Sequence, residues 1–289
     1  EGFAEKVEAE WQHIKESPTR LTPEAIQRIQ GYFTEPDYAA IDNATDLLAS
    51  QRFENRGFDQ WLTHNVDTHK KAGYAIVSLT MKKTGTPPGD VSDKQLEQIA
   101  DLADEFSFGE IRVTHQQNVV LADVRQDRLF ELWQAITPMG FGTANLNTLT
   151  DVICCPGGDY CALANAKSIP VAEAIQRQFD DLDYLYDLGN IDLNISGCMN
   201  ACGHHHVGNI GVLGVDKKGQ EFYQISLGGS SHHDASIGKI LGPSFARDEM
   251  PKVISKIIDV YVDKRTEEET FLDTYRRVGI DPFKERVYA

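Results

Sequence analysis

The chain has few basic residues for its length. Its 289 residues include 28 lysines and arginines against 44 aspartates and glutamates, so the formal net charge is −16. A surface of that sign repels phosphates, which argues against binding along a nucleic-acid backbone. An anionic substrate therefore needs a locally positive pocket, because the overall field does not attract it.

Long apolar runs are also missing. No stretch of about eighteen consecutive apolar residues occurs, so the sequence predicts no membrane-spanning helix. The first residues contain neither the apolar core of a secretory signal nor an initiator methionine. From this we expect either a processed precursor or a piece of a longer chain. The length allows two compact domains with a sizeable core.

Cysteine is scarce, and all five cysteines lie between Asp151 and Cys202. Packing alone would scatter them through the core. Four of them form two pairs, Cys155 with Cys161 in a C-x5-C spacing and Cys198 with Cys202 in a C-x3-C spacing. Two pairs of thiols suit a tetrahedral metal ion or a cubane iron–sulfur cluster. Neither pair has the two-residue spacer that zinc ribbons and fingers prefer, although a zinc site and disulfides remain alternatives.

The sequence around the first pair predicts its local structure. Residues 156–158, Pro-Gly-Gly, predict a tight loop between Cys155 and Cys161. Residues 162–167 are typical of the start of a helix, whose positive dipole end would favour a thiolate at Cys161.

The second pair follows a predicted strand over residues 191–195. Cys198 and Cys202 are four residues apart, about one helical turn, so we expect both sulfurs to face one side. Thiols kept for a metal favour a reducing compartment, and the cytoplasm is the expected location.

Residues 73–136 alternate between strand and helix patterns. We predict a strand at residues 74–81, a helix capped by Ser92, strands at 110–114 and 118–122, and a helix at 127–136. The order β-α-β-β-α is typical of a ferredoxin-like half-domain.

Residues 1 to about 70 are predicted to be largely helical. Apolar residues recur at helical steps and predict inward faces, with Thr22 as the cap of a second helix. Those we assign to packing are Phe3, Val7, Trp11, Ile14, Ile26, Ile29, Phe33, Phe53, Phe58, Trp61 and Leu62.

The cysteine stretch resembles the siroheme-dependent sulfite and nitrite reductases. That family carries C-x5-C and then C-x3-C, often with Gly before the third cysteine and Asn between the third and fourth, as Gly197 and Asn200 are here. Met199 stands where many members carry proline, and Cys154 where a small residue is usual. The heptapeptide at residues 112–118, RVTHQQN, also resembles the family's sequence at this place.

The resemblance implies a ligand set and a fold. It implies that Cys155, Cys161, Cys198 and Cys202 hold a [4Fe-4S] cluster and that Cys202 bridges it to the siroheme iron. Residues expected to contact siroheme are Arg112, His115, Gln117, Asn118, Lys167 and Asn200. The fold we predict is mixed α+β, with a helical segment at 1–70, a ferredoxin-like half-domain at 71–147 and an α/β iron–sulfur and siroheme domain at 148–289.

The implied function is an oxidoreductase, a sulfite or nitrite reductase of the assimilatory type, that reduces sulfite to sulfide or nitrite to ammonia by several electrons. Ferredoxin or a flavoprotein would donate the electrons. Only one ferredoxin-like copy is visible where the family has two, so we expect the chain to be a C-terminal half, inactive without its N-terminal half. The sequence assigns no catalytic residue. A non-catalytic iron–sulfur relay or scaffold, or a zinc-stabilised module, remains an alternative.

Overall fold

The computed structural model describes residues 2–17 and 21–289, which group into two compact units, 1–41 and 42–289. The first unit contains α1 (Phe3–Ile14) and α2 (Pro23–Gln30). Thr22 caps α2 as predicted, accepting a hydrogen bond from the backbone of Ala25. Neither helix buries a residue, so the apolar faces predicted to point inward are exposed.

The second unit begins with two helices, α3 (Thr45–Glu54) and α4 (Arg56–Asn65). Phe58 and Trp61 of α4 are fully buried, as predicted, whereas Phe53 of α3 is 91% exposed and its assignment to the core is wrong. Residues 42–65 therefore belong with the larger unit. The domain limits at 70 and 147 stay a prediction, because one unit contains both.

An antiparallel sheet, sheet A, forms the ferredoxin-like layer of the second unit. Its order is β1-β2-β4-β3, with α5 and α6 as its helices. The elements are β1 (Val66–Thr68), β2 (Tyr74–Leu79), α5 (Asp93–Phe106), β3 (Arg112–Val113), β4 (Val119–Arg125) and α6 (Leu129–Ile136). The inner face of α5 packs in the same hydrophobic core as β2 and β4, through Ile99, Leu102, Ala103 and Phe106. The predicted β-α-β-β-α order is confirmed.

A second sheet, sheet B, has the order β5-β6-β7-β8-β9. Its first three strands are parallel and the others antiparallel. The strands are β5 (Ile153–Cys154), β6 (Leu193–Ser196), β7 (Ile210–Lys217), β8 (Gln220–Leu227) and β9 (Lys239–Ile240). The helices beside it are α7 (Ile169–Gln178), α8 (Leu182–Leu188), α9 (Met250–Lys264), α10 (Phe271–Val278) and α11 (Asp281–Tyr288).

The two faces of sheet B differ in chemistry. Ile195, Val212 and Ile225 stand side by side in neighbouring strands and are fully buried in the core that contains α7 and α9. Asn194 and Ser226 occupy the alternate positions and are also buried, and the side-chain amide of Asn194 donates to the carbonyl of His204, in the loop at residues 197–207, at 3.1 Å. This loop carries the second cysteine pair, so sheet B places its polar face against it.

Across residues 2–17 and 21–289, no helix is both long and apolar enough to cross a membrane.

Candidate functional site

The first cysteine pair leaves the edge of sheet B. Cys154 is the last residue of β5, and the backbone N–H of Cys155 donates to the carbonyl of Ile195 at 3.1 Å. The chain then makes a single 3₁₀ turn at Gly157–Asp159, and the N–H of Cys161 donates back to the carbonyl of Gly157 at 2.9 Å. The tight loop predicted between the two cysteines is confirmed.

The helix predicted at residues 162–167 is wrong. These residues form turns, and α7 begins only at Ile169. The N–H groups of Asn165 and Ala166 donate to the carbonyl of Gly197, at 2.9 and 3.1 Å, instead of to a preceding helical turn. Cys161 therefore does not lie at a helix N-terminus. The same two hydrogen bonds fasten the first cysteine loop to the second.

Glycines allow the two loops to approach closely. A Cβ on Gly197 would lie 2.7 Å from the carbonyl oxygen of Ala166 and 2.8 Å from the Cα of Gly157. A Cβ on Gly203 would overlap the carbonyl oxygen of Ile195. Gly157 has a φ of 57°, in the left-handed region that favours glycine. Any side chain at these positions would push the loops apart.

The thiols differ in exposure and in local contacts. Cys155 and Cys198 are buried, Cys161 is half-buried and Cys202 is exposed, and none of the five cysteines forms a disulfide. The Sγ of Cys155 accepts a hydrogen bond from the N–H of Gly197 at 3.1 Å. Sulfur atoms that bind iron in iron–sulfur clusters accept hydrogen bonds of this kind.

Cys198 and Cys202 are linked by a turn and not by α-helix, and the expectation that their sulfurs face one side stays a prediction. The N–H of Ala201 donates to the carbonyl of Cys198 at 3.2 Å in a single turn, and Ala201 then takes a left-handed φ of 56°. A left-handed residue ends the turn, so Cys202 is carried outward to the exposed side.

The fifth cysteine is set apart. Cys154 is 3% exposed, and its Sγ lies 3.2 Å from the carbonyl of Cys155. Burial raises the pKa of the Cys154 thiol well above its ordinary value. A thiol held neutral is a poor metal ligand.

The two cysteine loops carry the ligand types of an iron–sulfur cluster, but their side chains are not gathered around one point. Four thiols on two joined loops are the donor set that a [4Fe-4S] cluster takes. The glycines let the backbones of the two loops lie in contact, which holds the loops together. Within the described ranges, however, no three or more His, Cys, Asp or Glu side chains are grouped in metal-binding geometry. The four cysteines therefore fit a [4Fe-4S] cluster by their ligand type and by their position on two hydrogen-bonded loops.

The predicted siroheme contacts are located as follows. Arg112 is exposed on β3 and pairs with Glu110 at 2.6 Å, and Lys167 pairs with Asp159 at 3.0 Å. His115 and Asn200 are exposed.

Gln117 and Asn118 are engaged within the protein. The side-chain amide of Gln117 donates to the carbonyl of Cys154 at 2.8 Å and accepts from the N–H of the same residue at 2.9 Å. Asn118 is buried between the N–H of Met81, at 3.0 Å, and the carboxylate of Asp151, at 3.0 Å. Their part in cofactor binding stays a prediction.

Two buried polar residues near the cysteines were not assigned from the sequence. Lys82 is fully buried, although a lysine after a strand is ordinarily solvated. His205 is 2% exposed with no hydrogen-bond partner at either ring nitrogen, and burial beside His206 lowers its pKa to about 4. His205 is the middle one of three consecutive histidines, residues 204–206, and the sequence does not indicate which of them is buried.

Comparison with known families assigns both parts of the second unit. Residues 79–139 match the nitrite/sulfite reductase ferredoxin-like half domain, and residues 146–289 match the nitrite and sulphite reductase 4Fe-4S domain. The chain belongs to the nitrite and sulfite reductase family. The family carries siroheme and a [4Fe-4S] cluster, so the predicted cofactors and the oxidoreductase class are confirmed at the level of the family.

The chain spans only about 37% of the length of the curated relatives it matches. It is 29% identical over 206 residues, 68% of this chain, to "Sulfite reductase [ferredoxin] 2" of Mycolicibacterium paratuberculosis. It is 28% identical over 202 residues, 67% of this chain, to "Ferredoxin--nitrite reductase" of Synechococcus elongatus. Relatives with both substrate names are thus about equally similar.

Two solved structures share the fold. The NirA protein of Mycobacterium tuberculosis superposes with a TM-score of 0.63 at 25% identity, over 76% of this chain and 41% of that one. Dissimilatory sulfite reductase I superposes with a TM-score of 0.62 over 93% of this chain and 91% of that one. At 14% identity the second likeness concerns the fold alone.

Proposed function

We propose that this chain is the cysteine-bearing, C-terminal half of a reductase that converts sulfite to sulfide or nitrite to ammonia. The observation that carries the proposal is the interlocking of the two cysteine loops through the carbonyl of Gly197, inside the matched 4Fe-4S domain. The names of the relatives supply the substrate class, and they divide between sulfite and nitrite. The electron donor proposed is a ferredoxin or a flavoprotein, and the compartment proposed is the cytoplasm.

In this proposal Cys155, Cys161, Cys198 and Cys202 hold the cluster. The N–H of Gly197 donates to the Cys155 sulfur, a hydrogen bond that a cluster-bound cysteine sulfur can also accept. Cys202 is the exposed thiol of the four, which supports its assignment as the ligand shared with the siroheme iron. When bound, the two groups supply an electron relay and an iron at which the substrate anion is reduced.

We propose that siroheme is contacted by the cysteine loops, through Lys167 and Asn200, and by β3 and the turn after it, through Arg112 and His115. Arg112 and Lys167 carry the positive charge that the siroheme carboxylates need, and His115 and Asn200 offer further polar contacts. Both cations already pair with a carboxylate, at Glu110 and Asp159. Because these cations are paired and the net charge is −16, we propose that the cationic pocket for the substrate anion lies on the N-terminal half of the enzyme.

The test is to express these 289 residues in cells that make siroheme, then to record a visible spectrum and assay with a chemical reductant. We expect the broad absorbance of an iron–sulfur cluster, weak or no siroheme bands, and no turnover of either anion. Each missing charge-assisted contact would cost about 1.5–3 kcal/mol of siroheme binding. Stoichiometric siroheme with steady turnover would show that one half suffices. A colourless protein containing zinc would favour the structural module instead.

A further inference from the structure

Lys82 follows β2 by three residues, and its side chain is completely buried. Removing an ammonium group from water is costly unless good partners compensate it. Its Nζ has three such partners. It donates to the carbonyl of Gln116 and to the carbonyl of Val152, each at 2.7 Å, and lies 3.4 Å from Oδ1 of Asp151. Three donors thus meet three acceptors.

The carboxylate partner of Lys82 is itself fully hydrogen-bonded. Oδ1 of Asp151 accepts from the side-chain amide of Asn118 at 3.0 Å, and Oδ2 accepts from the backbone N–H of Asn147 at 3.0 Å. Burial lowers the pKa of Lys82, and the charge of Asp151 opposes that shift. The pair is therefore a closed, buried network in which each charge depends on the other.

The three acceptors of Lys82 belong to two segments that matter for the cysteines. Gln116 lies in the turn between β3 and β4, which also holds three of the six predicted siroheme contacts, His115, Gln117 and Asn118. Asp151 and Val152 lie just before β5, and Val152 is three residues ahead of Cys155. The side-chain amide of Gln117 makes two hydrogen bonds with the backbone of Cys154, and these join the same two segments. Sheet A is thereby joined to the start of the first cysteine loop.

We propose that Lys82 is a positioning residue, which fixes the backbone that carries Cys155 against the turn at residues 115–117. It acts through the carbonyls of Gln116 and Val152 and touches no reacting atom. The proposal rests on the proposed function in one respect only, namely that Cys155 is a cluster ligand. Without Lys82, the segment at residues 151–155 would lose its contacts with Lys82 at Val152 and Asp151 and keep those that Gln117 and Asn118 make with Cys154 and Asp151.

The experiment separates positioning from charge balance in this chain, purified with its iron. Lys82→Met leaves the charge of Asp151 buried and unpaired, so it lowers stability whatever the role of Lys82. The double variant Lys82→Met with Asp151→Asn removes both charges but leaves both carbonyl tethers missing. Lys83→Met is the matched control, because Lys83 is the neighbouring lysine and is exposed.

The rate of iron release to a chelator and the amide hydrogen exchange of residues 151–155 are measured for each variant. In the double variant we expect both rates to rise by at least about tenfold, because two charge-assisted hydrogen bonds are lost and the loss of one alone corresponds to about tenfold or more. Lys83→Met should match the unmodified chain. If Lys82→Met alone does not fold, the double variant still decides the question, because it leaves no unpaired charge buried.

The proposal is overturned if the double variant releases iron and exchanges its amides at the unmodified rates, since Lys82 then only balances Asp151. If the unmodified chain contains no iron, the proposed function fails instead. The exchange of residues 151–155 remains a test of Lys82 in that case, because it does not depend on the cluster.

Discussion

Single glycines control how closely the two cysteine loops approach. At Gly203 the smallest added side chain would overlap the carbonyl oxygen of Ile195, which belongs to a central strand of sheet B and cannot move easily. We expect Gly203→Ala to lower the free energy of unfolding by about 1–3 kcal/mol, measured by denaturant unfolding, and to reduce bound iron. Gly158→Ala is the control in the same loops, because its Cβ would meet only ordinary contacts at 3.4 Å. Equal effects of the two changes would contradict this account.

A buried imidazole should make stability depend on pH. The pKa of His205 is lowered to about 4, below the ordinary value of about 6.5 that it has in the unfolded chain. Between these values the unfolded state binds more protons, so stability rises with pH and is lost as pH falls from about 6.5 towards 4. The contribution is at most about 1.4 kcal/mol per pH unit.

His205→Leu should flatten this dependence in urea unfolding between about pH 5 and pH 7.5. His233→Gln, a change at an exposed histidine, should leave it unchanged. An unaltered slope in His205→Leu would show that another group titrates in this range.

Helix α5 shows which elements a sequence predicts well. Ser92 accepts from the N–H of Gln95 at 3.3 Å, while the side chain of Gln95 accepts from the N–H of Ser92 at 2.9 Å. We expect Ser92→Ala to cost about 1 kcal/mol of stability in denaturant unfolding. Ser50→Ala, within α3 and exposed, should be neutral or slightly stabilising. A loss at Ser50 equal to that at Ser92 would contradict the role of the cap.

Elements set by local sequence were predictable, and those set by distant contacts were not. The cap of α5, the β-α-β-β-α order of elements and the loop between Cys155 and Cys161 all follow from neighbouring residues. The helix predicted after Cys161 failed because its N–H groups pair with Gly197, 31 and 32 residues away from Ala166 and Asn165. That pairing overrides a weak local preference.

The candidate site followed the same division. Both cysteine loops could be located from the sequence, because the spacing of the cysteines is itself a property of the sequence. The burial of Lys82 could not be predicted, because its acceptors lie 34 and 70 residues further along the chain. The apolar faces of α1 and α2 were predicted to be buried from helical periodicity alone, but they are exposed. Periodicity shows that a helix has an apolar face and does not show what packs against it.

For the whole molecule, the account depends on which cysteines bind iron. The most direct measurement is the iron content of the five single Cys→Ser variants of this chain, each checked for folding by circular dichroism. We predict that Cys155→Ser, Cys161→Ser, Cys198→Ser and Cys202→Ser lose the cluster. Cys154→Ser should keep its iron, because Cys154 is buried behind the loop with its thiol held neutral. Loss of iron in Cys154→Ser together with its retention in Cys155→Ser would contradict the assignment.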